Sequence, residues 1–347
     1  MGSLALFLGL LIFSFISTSI VIVPFIDLLY NLKFQRAQQV TRDVFGKLTP
    51  IFDKFHGKKA GVPVGGGLLV ILVVSLLFAM FLPIMGFLGI SVTSVYATPV
   101  TEVNILFFTF LSYGILGLYD DIKKFFGFGK EKFFGLKAPF KLFLQVVLAV
   151  IIACMLYFQL GISILHIPFI GTFDLGVFYL PFAVFVIVSF ANAVNITDGL
   201  DGLASGVLMI SLFGLWFLSA SILDVPLSLF LSLWIGSLVS FLYFNVFPAR
   251  MFMGDVGALA FGATLGVVGL LLGKVVALGI IGFVFVFEVA TSLMQIVSRK
   301  VWKRKLFPAA PFHLTLQAHG WEEPKIVQRV WLMQIMLTLF GVWLAVI

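Results

Sequence analysis

The sequence predicts an all-α, polytopic membrane protein with about ten transmembrane helices. Of its 347 residues, 61% are hydrophobic and only 11% are charged, whereas soluble domains are about a quarter charged. The apolar segments run for about 20 residues, as bilayer-crossing helices require, and do not alternate like the short strands of a membrane barrel. No soluble domain or internal repeat is visible, so residues 1–347 are predicted to form a single integral membrane domain.

Ten candidate spans follow one another along the chain. The first has no lysine or arginine before Lys33, so it is interpreted as a true span and not as a cleaved signal peptide, which needs a basic start. The ninth contains Glu288, and a carboxylate inside the bilayer is costly unless it is paired or hydrated. Glu288 is therefore predicted to face the bundle interior. The approximate limits of the spans are 3–28, 62–86, 104–119, 140–158, 178–197, 204–223, 226–246, 256–273, 276–298 and 329–347.

Positive charge alternates between the connections, and this alternation predicts the orientation. The connections 31–59, 120–142, 245–255 and 299–329 hold 21 of the 22 lysines and arginines, and only Lys274 departs from the pattern. The positive-inside rule makes these connections cytoplasmic and places both termini outside. The net charge of +7 is thereby explained by membrane orientation, and no nucleic-acid partner is predicted. Three acids on the opposite side are interpreted as ordinary solvated loop residues: Glu102, Asp174 and Asp224.

Other carboxylates concentrate on the predicted cytoplasmic face, first at Asp120-Asp121. Lys124 follows Asp120 by one helical turn, so the two side chains share a face if the third span continues as a helix. Adjacent carboxylates at a site usually bind a metal, or one raises the pKa of the other so that it can act as a general base. A plain charge pair at the end of a helix would give the same pattern, so this motif alone leaves both interpretations open.

The densest polar segment is 192–203, at the edge of the fifth span. Its amides suit hydrogen bonding to a sugar or base, and its carboxylates suit Mg²⁺, which prefers oxygen ligands. Gly199 and Gly202 are predicted to end the helix and to let the backbone approach a ligand. So many polar groups at a membrane edge indicate a functional site.

A third acidic motif, Gly254-Asp255-Val256-Gly257, opens an apolar helix. As a helix cap alone, Asp255 would contribute only about 1 kcal/mol. Because three acidic motifs lie on one predicted membrane face, a shared metal–phosphate centre is the favoured interpretation.

Basic residues and one histidine near these motifs are more ambiguous. The stretch from His56 to Lys59 precedes the glycines 65–67, which suits anion binding, although orienting lysines before a tightly packed glycine run would look the same. Lys141 begins the fourth span, where a lysine is often an interfacial anchor. His313 lies in the last cytoplasmic connection, and a single histidine is more often structural.

The three acidic motifs together resemble those of the polyprenyl-phosphate N-acetylhexosamine-1-phosphate transferase superfamily. The resemblance covers residues 59–331, with the motifs in the expected order. The stretch Gly320-Trp321-Glu-Glu-Pro-Lys325 resembles the pentapeptide-transferase branch in particular. The motifs that carry the resemblance are Asp120-Asp121-x-x-Lys124, Asn195-x-x-Asp198-Gly-x-Asp201-Gly-Leu and Met253-Gly-Asp255-x-Gly.

This resemblance implies an Mg²⁺-dependent enzyme of peptidoglycan synthesis in the bacterial plasma membrane. The implied reaction transfers phospho-MurNAc-pentapeptide from UDP-MurNAc-pentapeptide to undecaprenyl phosphate at the cytoplasmic face, giving lipid I and UMP. A homodimer is also implied. Because the acceptor is a membrane lipid, a groove that opens laterally to the bilayer beside the acids is expected. Direct attack by the lipid phosphate is favoured over a phospho-enzyme intermediate, and both remain open.

The resemblance also implies site residues, each carried over by motif match. Asp120 would be the base on the lipid phosphate. The catalytic set is Asp120, Asp121, Lys124, Asp255 and His313, and the metal set is Asn195, Asp198 and Asp255. The substrate set is Lys59, Lys141, Asn195, Asp198, Gly199, Asp201, Asn245, Phe252 and Gln295.

The sequence departs from the family pattern in two places. Where the family has Pro-x-His-His-His-x-Glu, this chain has Pro311-Phe-His313-Leu-Thr-Leu-Gln317, and Thr-Pro-Thr-Met-Gly-Gly is replaced by Val62-Pro-Val-Gly-Gly-Gly67. Transfer of GlcNAc-1-phosphate or a related sugar phosphate therefore remains an alternative. A transporter is disfavoured, because transporters place polar residues near the midplane and often contain inverted repeats.

Overall fold

The computed structural model describes residues 2–35, 59–87, 89–126 and 135–347, and it is dominated by helices. An antiparallel hairpin, β1 (Ile164–Ile167) and β2 (Gly171–Asp174), connects α4 to α5. The α-helices of the described residues are α1 (Gly2–Asn31), α2 (Gly66–Phe87), α3 (Pro99–Phe126), α4 (Ala138–Cys154), α5 (Tyr179–Thr197), α6 (Leu203–Ser221), α7 (Val225–Asn245), α8 (Gly254–Leu271), α9 (Val275–Ile281), α10 (Phe283–Val301), α11 (Phe312–Ala318) and α12 (Glu323–Val346).

The predicted number of spans is confirmed in the part of the chain that the structure describes. Nine helices there are long and apolar enough to cross a membrane, or ten if α9 and α10 together form one span. The prediction of a continuous ninth span over 276–298 is wrong, because the helix breaks at Gly282 and the axes of α9 and α10 differ by 82°. The tenth span begins earlier than predicted, at Glu323, with Pro324 in its first turn.

Side chains from two other helices stabilise the break in the ninth span. The Ser211 hydroxyl of α6 donates a hydrogen bond of 2.9 Å to the carbonyl oxygen of Ile281, and the Gln334 amide of α12 donates to the same oxygen. Within a bilayer a carbonyl freed by a helix break must find an internal donor. These two side chains supply it, so α10 can leave the direction of α9.

The helices α7 and α8 form the centre of the bundle. In the most apolar part of each, 94% of the α7 residues and 89% of the α8 residues are buried. Small residues allow the first turn of α8 to pack closely against α2 and α3. A Cβ on Gly67 would clash with the backbone of Gly257, and a Cβ on Gly117 would clash with the carbonyl group of Asp255. This packing fixes the position of Asp255 relative to α3.

The prediction that Glu102 and Asp224 are solvated is wrong. Both side chains are buried, whereas Asp174 in β2 is exposed as predicted. Ser94 donates a hydrogen bond of 2.7 Å to the Glu102 carboxylate, and Asp224 caps α7 by accepting from the Leu227 N–H. The connection before α3 folds back over these acids, which hydropathy along the chain could not reveal.

Candidate active site

Three helices bring five charged side chains together at one end of the bundle. Asp120, Asp121 and Lys124 come from α3, Lys141 from α4 and Asp255 from α8. The Lys124 ammonium lies 3.0 Å from Asp120 and 2.8 Å from Asp255, and that of Lys141 lies 3.0 Å from Asp120 and also contacts Asp255. We call these five residues the lysine-bridged cluster. The prediction that Asp120 and Lys124 share a helical face is confirmed.

Backbone groups hold the two adjacent carboxylates of this cluster. Asp121 accepts a hydrogen bond of 3.0 Å from the N–H of Val256, in the first turn of α8, and Asp120 accepts one from the N–H of Leu136. Gly254 has a φ of +79°, and a Cβ there would lie 2.7 Å from a carboxylate oxygen of Asp121. Glycine is therefore required for the Gly-Asp motif to fit against the Asp-Asp motif.

Exposure differs within the cluster. The Asp120 and Asp121 side chains are each 2% exposed, whereas Lys124 is 18% exposed and Lys141 and Asp255 are each 15% exposed. A ligand approaching from the aqueous side therefore reaches the ammonium groups and Asp255 first. The two ammonium groups can make strong hydrogen bonds to an anion, but three carboxylates face two lysines here, so a further cation is needed to offset the remaining negative charge.

The polar stretch at the end of α5 lies next to this cluster. Asp198 follows the last residue of α5 and is partly buried. Burial and, second, the negative charge of Asp255 raise the pKa of Asp198 to about 7, although Lys59 opposes the change. Asn195 lies about one turn earlier and is partly exposed. The second and third acidic motifs are thus neighbours, as the sequence predicted.

His313 is oriented by Glu288. The buried carboxylate of Glu288 accepts a hydrogen bond of 3.2 Å from the His313 backbone N–H, and a Glu288 oxygen also lies 3.2 Å from the ring atom Nδ1. The other ring nitrogen, Nε2, points at Gly199, where a Cβ would clash with it. The prediction that Glu288 faces the interior is confirmed. Its partnership with His313 was missed, although a lone acid inside a span was the available signal.

Lys59 and Asp201 belong to a second ionic group. The Lys59 ammonium lies 2.6 Å from both Asp201 and Glu323. Glu323 also accepts a hydrogen bond of 2.6 Å from the Asp201 N–H, and Asp201 accepts one of 2.9 Å from the Ala249 N–H. We call Lys59, Asp201 and Glu323 the clasp, because it joins the chain before α2, the turn between α5 and α6, and the start of α12. Glu323 was not among the predicted site residues.

Two predicted substrate residues use their amides to fix loops. Asn245, buried at the end of α7, donates to the Met251 carbonyl at 3.0 Å and accepts from the Ser205 hydroxyl at 2.6 Å. Gln295 of α10 donates to the carbonyl oxygen of Phe307 at 2.9 Å and accepts from the N–H groups of residues 306 and 307. Their predicted contact with substrate stays a prediction.

The glycine run, at the start of α2, pairs with the connection between α7 and α8 that contains Phe252. Val64 pairs with Phe252, whose carbonyl oxygen accepts from the N–H groups of Gly65 and Gly66. Gly66 packs against Phe241 and Gly67 against Gly257, which favours the packing interpretation of this run. The Phe252 side chain is partly exposed. His56 and Lys58, which precede the run, lie outside the described residues.

The oxygen donors of the site fit Mg²⁺ by their chemistry. Within the described ranges, no three His, Cys, Asp or Glu side chains form a preformed metal cage. Mg²⁺ usually keeps several waters and needs only one or two carboxylates, and Asp198 and Asp255, with the Asn195 amide, offer such a set. The lysine ammonium groups already show that Asp255 attracts cations. The metal itself stays a prediction.

The chain is similar in sequence to known transferases over most of its length. Residues 103–273 match the model of glycosyl transferase family 4. The chain is 35% identical to the phospho-N-acetylmuramoyl-pentapeptide-transferase of Aquifex aeolicus (strain VF5), over 94% of this chain and 91% of that protein. The protein of the same name from Clostridium perfringens (strain 13 / Type A) is 35% identical over 91% and 92%, and that from Desulfotalea psychrophila (strain LSv54 / DSM 12343) is 38% identical over 83% and 80%.

Proposed function

Because the chain belongs to the family of phospho-N-acetylmuramoyl-pentapeptide transferases, we propose that it synthesises lipid I. The donor is UDP-MurNAc-pentapeptide, the acceptor is undecaprenyl phosphate, and UMP is the second product. The observation that carries this proposal is the lysine-bridged cluster. A transfer between two phosphorylated substrates depends chiefly on positioning and charge neutralisation, and the cluster presents two accessible ammonium groups fixed by buried carboxylates.

The two lysines bind the reacting phosphates. Each ammonium group lies between carboxylates of different helices, so it keeps its position when a phosphate oxygen replaces one carboxylate partner. Asp120 takes the proton of the acceptor phosphate as the lysines turn towards the substrates. An acceptor oxygen then bonds to the sugar-linked phosphorus, the bond from that phosphorus to the UMP oxygen breaks, and UMP keeps the electron pair.

Direct attack by the lipid phosphate is favoured over a phospho-enzyme. Asp120 is engaged by two lysines and the Leu136 N–H, and Asp121 accepts from Val256. A carboxylate with its oxygens so engaged is a weak nucleophile, because hydrogen bonding to the charged form stabilises it. These contacts suit a carboxylate that positions cations. Asp120 becomes basic enough to take the acceptor's proton only as its lysines leave it for the phosphates.

The remaining predicted residues bind the metal and the nucleotide. Asp198, Asp255 and Asn195 would hold Mg²⁺, which would neutralise charge on the donor pyrophosphate. Phe252, Gly199 and His313 line the nucleotide side, and Asn245, Gln295 and the clasp shape the loops around it.

The bacterial plasma membrane is the proposed location, with the cluster on the cytoplasmic face, both termini outside and a homodimer as the assembly. The distribution of lysine and arginine supports this orientation. An apolar groove of about 400 Å³ lies between α4 and α5, lined by residues such as Val150, Cys154 and Phe185. It is not beside the acids, so the lateral groove next to them stays a prediction. Val150 lies about 14 Å along α4 from Lys141, within reach of a long prenyl chain.

One observation favours a second candidate, the transfer of a different sugar phosphate such as GlcNAc-1-phosphate. After His313, the side chains of the altered motif are buried or bonded to other groups of the protein. Leu314 is buried, and the Thr315 hydroxyl donates to the Ala309 carbonyl. Sugar recognition at this position therefore differs chemically from recognition by histidines.

Purified protein tests the proposal when it is given Mg²⁺, undecaprenyl phosphate and one donor at a time. UMP release is followed with UDP-MurNAc-pentapeptide and, separately, with UDP-GlcNAc. Release from the first donor alone is the expected result. Release from UDP-GlcNAc alone would replace the proposal with the second candidate, and release from neither by folded protein would reject both.

A further inference from the structure

The connection between α11 and α12 carries a cationic group that the proposed reaction does not use. The Lys325 ammonium lies 5.3 Å from the centre of the Trp321 ring, and the Arg329 guanidinium carbon lies 4.7 Å from it. Lys325 and Arg329 are one turn apart on α12 and share a face. Cations within about 6 Å of an indole ring are attracted to it, so both are held in place before any ligand arrives.

Neither cation has an acidic partner in the described part of the chain. Glu322 lies between Trp321 and the helix, but it forms no ion pair with Lys325 or Arg329, and Glu323 is occupied by Lys59. Both cationic side chains are exposed. The Trp321 ring therefore presents two oriented positive charges whose hydrogen-bond donors are available to an anion.

The position of this group matches the far end of the proposed donor. His313 is in the first turn of α11, and the Trp321 N–H donates to the Leu316 carbonyl of the same helix at 3.1 Å. Helix α11 has seven residues and is therefore about 10 Å long. A five-residue peptide reaches about 17 Å when extended. A donor whose sugar lies near His313 can thus reach Trp321 with its peptide.

We propose that Lys325 and Arg329, held on the Trp321 ring, bind carboxylate groups of the donor's peptide, including its C-terminal carboxylate. The inference rests on the proposed function and extends it to recognition of the peptide. Arginine suits this role because its planar guanidinium binds a carboxylate through two parallel hydrogen bonds. The contact lies away from the reacting phosphorus, so it contributes to donor affinity.

A thermodynamic cycle tests the proposal. We would measure the Kd of UDP-MurNAc-pentapeptide and of UDP-MurNAc without a peptide, in the presence of Mg²⁺, for the full chain and for the double variant Lys325→Gln/Arg329→Gln. The full chain should bind the pentapeptide donor more tightly. The double variant should lose about tenfold in affinity for that donor and should bind UDP-MurNAc as before.

A matched control separates specific binding from general positive charge. The double variant Lys300→Gln/Lys303→Gln removes two exposed cations from the end of α10 and the connection after it, and it should leave both Kd values unchanged. A third variant, Trp321→Leu, keeps both cations but removes the ring that orients them. It should weaken the binding of the pentapeptide donor only.

Three results would overturn the inference. The first is an unchanged Kd of the pentapeptide donor in the Lys325→Gln/Arg329→Gln variant. The second is an equal rise in the Kd of both donors in that variant. The third is the same rise in the Kd of the pentapeptide donor in the Lys300→Gln/Lys303→Gln control. Failure of the proposed function looks different, because the unmodified chain would then bind neither donor and release no UMP with undecaprenyl phosphate.

Discussion

The lysine-bridged cluster and the clasp use the same chemistry in two different ways. In both, a lysine lies between carboxylates of different segments. In the cluster, three spans contribute the charges, and its lysines are the accessible groups. In the clasp, the single Lys59 joins the turn between α5 and α6 to the start of α12, so this ionic group ties the ends of elements together. Under the proposed function, the ionic contacts between spans form the reaction centre, and those of the clasp secure its rim.

The largest loss of activity is expected at Asp255, in the lysine-bridged cluster. The substitution Asp255→Asn should lower kcat about a thousandfold, because it removes charge that positions both lysines at the reacting phosphates. Lys124 and Lys141 keep Asp120 as a partner, so the melting temperature should change by only a few degrees. UMP release and thermal unfolding measure the two effects. Asp174→Asn, on the exposed hairpin, is the matched control. Turnover above a tenth of normal in Asp255→Asn would show that the cluster does not take part in the reaction.

A smaller loss is expected at the contact between Gly199 and His313. In Gly199→Ala the new Cβ would clash with Nε2 of His313 and displace the ring. A displacement of about 1 Å at a site can lower the rate about a hundredfold, and that is the loss we expect in kcat/KM. Gly279→Ala is the control, since its Cβ would meet nothing within 4 Å. Equal activity of the two variants would show that the ring position is irrelevant.

Glu288 should have a weaker influence, because it acts through His313. Glu288→Gln keeps an acceptor for the His313 N–H but removes the negative charge beside Nδ1. A fall of about tenfold in kcat is expected, typical of lost orientation of a ring by a carboxylate. Steady-state UMP release measures it, with Glu322→Gln at an exposed position as the control. Unaltered turnover would show that Glu288 contributes to packing only.

The smallest effect on turnover is expected at the clasp. Lys59→Met leaves Asp201 and Glu323 facing each other without a cation, so the free energy of unfolding should fall by about 3 kcal/mol. Turnover below the unfolding temperature should change less than about threefold. Thermal inactivation and KM for the donor are measured together. A rise in KM of tenfold or more with unchanged stability would instead make Lys59 a substrate ligand, as the family resemblance implies.

Much of the fold follows from the sequence because hydropathy is a local property. Windows of apolar residues located the spans, and the spacing of Asp120 and Lys124 within one helix indicated their contact. The break at Gly282 could not be found in this way, because an apolar run continues through it. The groups that stabilise the break, Ser211 and Gln334, lie 70 and 53 residues from Ile281 along the chain.

The site follows the same rule: motifs that are contiguous in sequence could be predicted, and contacts between distant residues could not. The acidic motifs were visible, since each is contiguous and lies at the edge of a span. The pairing of Glu288 with His313 spans 25 residues, and that of Lys59 with Glu323 spans 264. Such pairings depend on how helices and loops pack, and one sequence without its relatives contains no record of that packing.

Under the proposed function, the lysine-bridged cluster joins two phosphorylated substrates for direct transfer. Delipidated protein, Mg²⁺, UDP-MurNAc-pentapeptide and radiolabelled UMP provide the most direct test, with label entering the donor as the signal. Direct attack by the lipid phosphate predicts exchange only when undecaprenyl phosphate is added, and none in Asp255→Asn. Exchange without the lipid would contradict direct attack, and full exchange in Asp255→Asn would contradict the assignment of the cluster.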